Sequence, residues 1–162
     1  MRESIPDDSA VTGLYWLAFI LTGSEGISVN VTSEVLSSAS GNLRRAVVIH
    51  SIAAQEAELR RARDRYRPQT DYDCGSELRT GLDTLPDFFE VRDALRVIDI
   101  FPRYALLLTV FESFSVRDAA KCLDSNEQAI RDARSDGLLA LARNMTPERI
   151  TRKSQWAASN RA

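Results

Sequence analysis

Cysteine and histidine are almost missing from this 162-residue chain, which has two of the first, Cys74 and Cys122, and one of the second, His50. They stand too far apart for any metal-ligand spacing, so the thiols read as reduced side chains and no metal or cofactor is expected. His50 sits in a mostly apolar stretch and reads as a packed histidine. Long apolar runs are also absent. The longest, residues 14–21, has eight residues where a membrane span needs about twenty, and no basic flank with a cleavage site surrounds it. The chain is therefore expected in the cytoplasm, without a membrane contact. Charge of one sign does not dominate either: the formal net charge is -2, so any contact with nucleic acid must come from local patches. There is no nucleophile elbow, phosphate loop or histidine pair, and Asp71 with Asp73 has no partner to tune it. No enzymatic activity is expected.

What is present is an ordinary 44% of hydrophobic residues, enough for one domain or two small ones. The stretch that organises the rest is residues 115–143, SVRDAAKCLDSNEQAIRDARSDGLLALAR. Ser115 can cap a short helix, with Asp118 completing a near capping box. Ala119, Ala120 and Leu123 then share one side. Asp124, Ser125 and Asn126 break the pattern, and Ser125 or Asn126 can cap a second, longer helix. Its apolar positions Ile130, Ala133, Gly137, Leu138 and Leu141 fall on one face. A short helix, a tight turn and a longer helix with Glu127, Gln128, Arg131, Arg134 and Ser135 outward make a helix-turn-helix pattern. An ordinary helical hairpin is the alternative.

In chain order, a polar start precedes an apolar helix from about Ala10 that Gly23 ends. Val29, Val31, Val35 and Leu36 follow as a helix, or as a strand given their β-branching. After a small polar turn at 37–42, one long helix is expected over 43–66, with Val47, Ile49, Ile52, Ala53, Ala57 and Leu59 inward. Pro68 stops it, and the glycines and scattered charges that follow read as a linker. Helical spacing resumes with Val91, Ala94, Leu95, Ile98 and Phe101. Pro102 sits in the first turn of a helix apolar almost all round, expected at the centre of a second core. Tyr15, Trp16 and Phe19 read as core aromatics. The expected fold is all-α: a helical domain over 1–67, a linker over 68–86, a helix-turn-helix domain over 87–145 and a basic tail over 146–162. The tail reads as a last short helix or a frayed extension.

Several strings resemble the extracytoplasmic-function group of bacterial sigma factors, within the sigma-70 family. Phe101-Pro102, Phe111-Glu112-Ser113-Phe114-Ser115 and Asp118-Ala119-Ala120 resemble the promoter-reading region 4. There a Leu-Pro opens a buried helix and an aromatic-Glu-Gly-Leu-Ser string leads into the motif. Leu21-Thr22-Gly23 and Ser33-Glu34-Val35-Leu36 resemble the start of region 2. The chain departs from the family at Ile27, Val29 and Asn30, where acids are usual, and at Asp124, which replaces the turn glycine. The later region 2 helix carries no aromatic before Tyr66, although a melted strand is normally held by stacking.

The resemblance implies a transcription protein that binds the RNA polymerase core and promoter DNA, with an anti-sigma or other regulatory protein as a possible partner. It implies DNA contacts from Asn126, Glu127, Gln128, Arg131, Arg134 and Ser135, where arginine pairs with guanine and glutamine with adenine. Arg60, Arg61, Arg63 and Arg65 are implied as nucleic-acid or polymerase contacts. The alternative for that cluster is a solvated helix end whose cations suit the dipole. Residues 115–143 carry as many acids as bases. Duplex affinity rests mainly on phosphate neutralisation, so the motif would lean on a partner or on the tail. The second function class is a degenerate sigma-like regulator or interaction module that does not initiate transcription.

Overall fold

A computed structural model describes residues 8–38, 41–69 and 88–145. The polar start, part of the turn at 37–42, most of the expected linker and the basic tail lie outside the described residues. All regular structure among the described residues is helical: α1 (Asp8–Thr22), α2 (Glu25–Ser38), α3 (Leu43–Ala54), α4 (Glu56–Arg65), α5 (Phe88–Arg96), α6 (Ile100–Leu106), α7 (Val116–Cys122) and α8 (Glu127–Asn144). None is long and apolar enough to cross a membrane.

Gly23 ends α1 with φ of 68°, and its N–H donates to the Phe19 carbonyl at 2.8 Å. Only a residue without Cβ takes that conformation cheaply. The segment that could have been a strand is α2, which turns Ser28, Val31 and Val35 inward. The helix expected over 43–66 is divided. Its chain leaves helical geometry at Gln55, with φ −120° and ψ 18°, which ends α3 and begins α4. The cause is the Gln55 side chain, which is drawn inward: its Nε2 donates to the Thr22 carbonyl at 2.8 Å, and its Oε1 accepts from the Tyr104 hydroxyl at 2.9 Å. The inward face of α3 is Val47, Val48 and Ser51, so Ile49, expected inside, is half exposed.

Pro102 lies in the first turn of α6, where its missing N–H costs nothing. The helix then widens into a five-residue π turn, Leu107–Phe111, in which the Glu112 N–H donates to the Leu107 carbonyl at 2.9 Å. Phe101, Tyr104, Leu106 and Leu108 are almost wholly buried, as an all-round apolar helix should be, but the cluster they belong to is not confined to a second core. The segment's neighbours come from both ends of the chain. Leu21, Val35 and Val47 of the first segment belong to the same buried apolar cluster as Leu106, Ala119 and Ile130 of the second. Polar bonds also cross between the segments: Arg44 grips both carboxylate oxygens of Glu112, and the Tyr66 hydroxyl donates to Asp136. Helices α6 and α8 form the most extensive pair, and Gly137 lets them meet: a Cβ there would stand 2.9 Å from the Pro102 carbonyl oxygen.

Candidate nucleic-acid interface

Both helices of the 115–143 stretch start where their caps direct. Ser115 Oγ accepts from the Asp118 N–H at 3.0 Å and bonds the Asp118 carboxylate at 2.7 Å, which starts α7. Asn126 Oδ1 accepts from the Ala129 N–H at 2.8 Å and starts α8. Between them Asp124 holds φ of 48°, and just before α7 Ser113 holds φ of 56°. Both are left-handed positions that a side chain disfavours by about 1 kcal/mol, less for aspartate. Ser113 is exposed, so Ser113→Gly removes the strain without losing a packed group. It should be more stable than Ser113→Ala by about 1 kcal/mol in urea melts, because the alanine keeps the strain. Equal stabilities would show the backbone is relaxed there.

The expected α8 residues divide by role. Glu127, Gln128 and Arg131 are exposed, but each already has a partner: Arg131 pairs with Glu127 at 2.8 Å and Gln128 donates to Asp132 at 2.8 Å. These are exposed i,i+4 contacts worth a few tenths of a kcal/mol, readily exchanged for a stronger acceptor. Asn126 is spent on the cap. Ser135 is half buried and returns its hydroxyl to the Arg131 carbonyl at 3.0 Å. Arg134 is half buried and has no ion pair among the described residues. Leu138, expected on the inward face, is 44% exposed.

The α4 arginines do not act as one patch. Arg60 is exposed and paired with Glu56 at 2.8 Å, and Arg61 is exposed. Arg63 instead reaches the turn before α8. Its Nη1 donates to the Asp124 backbone carbonyl and, at 2.7 Å, to Oδ2, which raises its pKa. Arg65 and Arg67 line a separate cleft with Tyr66 and Arg103. Between Arg63 and α8 lies an open cleft of about 590 Å³ lined by Tyr66, Phe101, Ser125, Gln128 and Asp132. The first segment thus touches the edge of the expected reading surface while leaving Gln128 and Arg131 in solvent.

An aromatic surface was not legible beforehand. Tyr15, Trp16 and Phe19, expected in the core, are only half buried, because α1 buries Leu14, Leu17, Ala18 and Leu21 instead. Trp16 meets Phe88 and Phe89 edge-on, with ring centroids 5.9 and 6.5 Å away. Arg92 lies over Trp16 and Phe89, and Arg96 over Phe19. The one available signal was the Phe88-Phe89 pair one helical turn before Arg92. His50 is half buried and lies outside the buried core, with its Nδ1 3.3 Å from the exposed Glu34 carboxylate. Cys122 is a free thiol whose pKa burial pushes up. No group of metal-ligating side chains occurs among the described residues.

Compared with known proteins, the chain matches no family model, no curated protein and no solved structure.

Proposed function

We propose that this chain is a divergent sigma-like transcription protein that engages the RNA polymerase core in the cytoplasm and reads promoter DNA with α7 and α8 as a helix-turn-helix. The observation that carries this reading is backbone geometry. The two non-glycine residues with positive φ among the described residues, Ser113 and Asp124, stand where the region 4 strings of the family carry glycine. A backbone that keeps a left-handed turn after losing the residue suited to it supports descent from that motif. The exposed Gln128 and Arg131, on the first turns of a capped helix, support readout of base edges. The Trp16, Phe88 and Phe89 surface interleaved with Arg92 offers a single strand a place to stack outside α4.

The test is transcription from promoter templates by polymerase core with and without the purified chain. A stable complex and promoter-dependent transcripts are expected. Arg131→Ala should weaken promoter binding by about 1–3 kcal/mol and relax sequence preference, while Arg134→Ala weakens binding more uniformly. Neither complex nor transcripts would overturn the reading. A second reading has its own support: Glu127 and Asp132 occupy the partners that DNA would need, and Arg63 ties the turn to α4. Under it the chain is a regulator that binds another protein, such as an anti-sigma factor, and does not initiate. Retention on DNA separates the two, because phosphate binding falls steeply with salt and an apolar interface does not.

A further inference from the structure

Arg103 is the least explained side chain of the fold. It lies on α6 with 7% of its surface exposed and forms no ion pair among the described residues. Its Nη1 donates to the Arg96 carbonyl at 3.2 Å, while the buried Nε has no partner among the described residues. The guanidinium lies against the end of α1, with Nη1 and Nη2 3.8 and 3.9 Å from the position of a Gly23 Cβ. Buried cations are normally paired, because removing one from water without a partner costs several kcal/mol. Burial lowers the pKa of Arg103; Tyr104, Glu58 and Asp99 oppose that shift, whereas the nearby Arg96 cation adds to it.

The surroundings supply room and further charge. Arg103 is part of the wall of two clefts. One, of about 500 Å³, is lined by Gly23, Asp93, Arg96 and Val97. The other, of about 780 Å³, is lined by Arg65, Tyr66, Arg67, Arg96, Asp99 and Asp136, together with Glu58. These volumes fit a small molecule and are too small for a duplex. The carboxylates present could pair with these cations, but none bonds Arg103, and Asp136 already receives the Tyr66 hydroxyl.

We propose that Arg103, with Arg96 and Arg65, forms a binding site for the phosphate group of a small molecule, seated between α4 and the α5–α6 turn. A phosphate offers the oxygen acceptors that the planar guanidinium fork is shaped to meet, and its double charge suits a cleft lined by several arginines better than a monocarboxylate does. The site draws on α4 of the first segment and α6 of the second, so an occupant bridges them and stabilises the assembled core by an amount that grows with the logarithm of its concentration above Kd.

The experiment is thermal unfolding of the full chain titrated with inorganic phosphate at constant ionic strength, with acetate as the monocarboxylate arm. A rise in the unfolding temperature that follows the logarithm of phosphate concentration above an apparent Kd, and a weaker one or none with acetate, is expected. Arg65→Ala and Arg96→Ala alter exposed residues, so their folds should persist while apparent phosphate affinity falls roughly tenfold in each. Arg103→Met should abolish the phosphate effect. If that variant does not fold, the two exposed variants still decide. No phosphate-dependent rise in the unfolding temperature of the parent chain, or equal affinity in the Arg65 and Arg96 variants, overturns the proposal, as does an acetate effect equal to that of phosphate. Promoter-dependent transcription is not part of this readout, so the site stands or falls separately from the transcriptional reading.

Discussion

Gly137→Val should be among the most damaging single substitutions in the chain, lowering stability by about 3 kcal/mol or more with the urea m-value unchanged. The reasoning is steric. A Cβ at Gly137 would meet the Pro102 carbonyl oxygen at 2.9 Å and the Leu106 Cβ at 3.1 Å. The first neighbour is backbone and cannot rotate away, so α8 must move off α6 and open the packing around Ile130 and Ala133. Gly137→Ala separates this from helix propensity, which favours alanine over glycine in a helix interior by about 1 kcal/mol. If the crossing is as close as described, alanine still destabilises. A Gly137→Ala variant more stable than the parent would show that α6 and α8 do not approach so closely.

The second large effect is expected at the bend between α3 and α4. Gln55 joins the end of α1 to the centre of the core, bonding the Thr22 carbonyl and the Tyr104 hydroxyl. Tyr104 is fully buried, and burial raises its pKa, so the hydroxyl remains a donor throughout the working pH range. Gln55→Ala leaves the Thr22 carbonyl without its donor and the Tyr104 hydroxyl with only the longer bond to the Ser51 carbonyl at 3.3 Å, and should cost about 2–3 kcal/mol. Tyr104→Phe removes the donor to the Gln55 oxygen and to the Ser51 carbonyl but leaves the Thr22 bond intact, and should cost about 1–2 kcal/mol. The double variant is expected to cost less than the sum, because both single changes lose the same Gln55–Tyr104 bond. Strict additivity in a double-mutant cycle would mean that the two side chains do not share a bond.

Much of the local structure was legible. The caps at Ser115 and Asn126, the stop at Gly23 and the start at Pro102 all depend on residues whose own chemistry dictates a helix end. The bend at Gln55 was not, since glutamine is a sound helix former and the apolar period runs through it; only its distant partners, Thr22 and Tyr104, turn it inward. Nor could periodicity show which apolar face of α1 would win, and Trp16 lost to Leu17 and Leu21. The expected reading residues Gln128 and Arg131 lie on the surface as spacing implied, but their acid partners and the reach of Arg63 to Asp124 depend on how the two segments meet. Arg103 was invisible for a related reason. An arginine in sequence is assumed to find water, and its burial follows from what closes over α6.

The bend at Gln55 has one more consequence. Were α3 and α4 a single straight rod, its two ends would point away from each other along one line. Because the rod is broken, Arg44 near one end closes on Glu112 and Arg63 near the other closes on Asp124, so the pair works as a clasp with Gln55 as its spring. The two helices on either side of Gln55 are thus each tied to the second segment, α3 through Arg44 to Glu112 and α4 through Arg63 to Asp124.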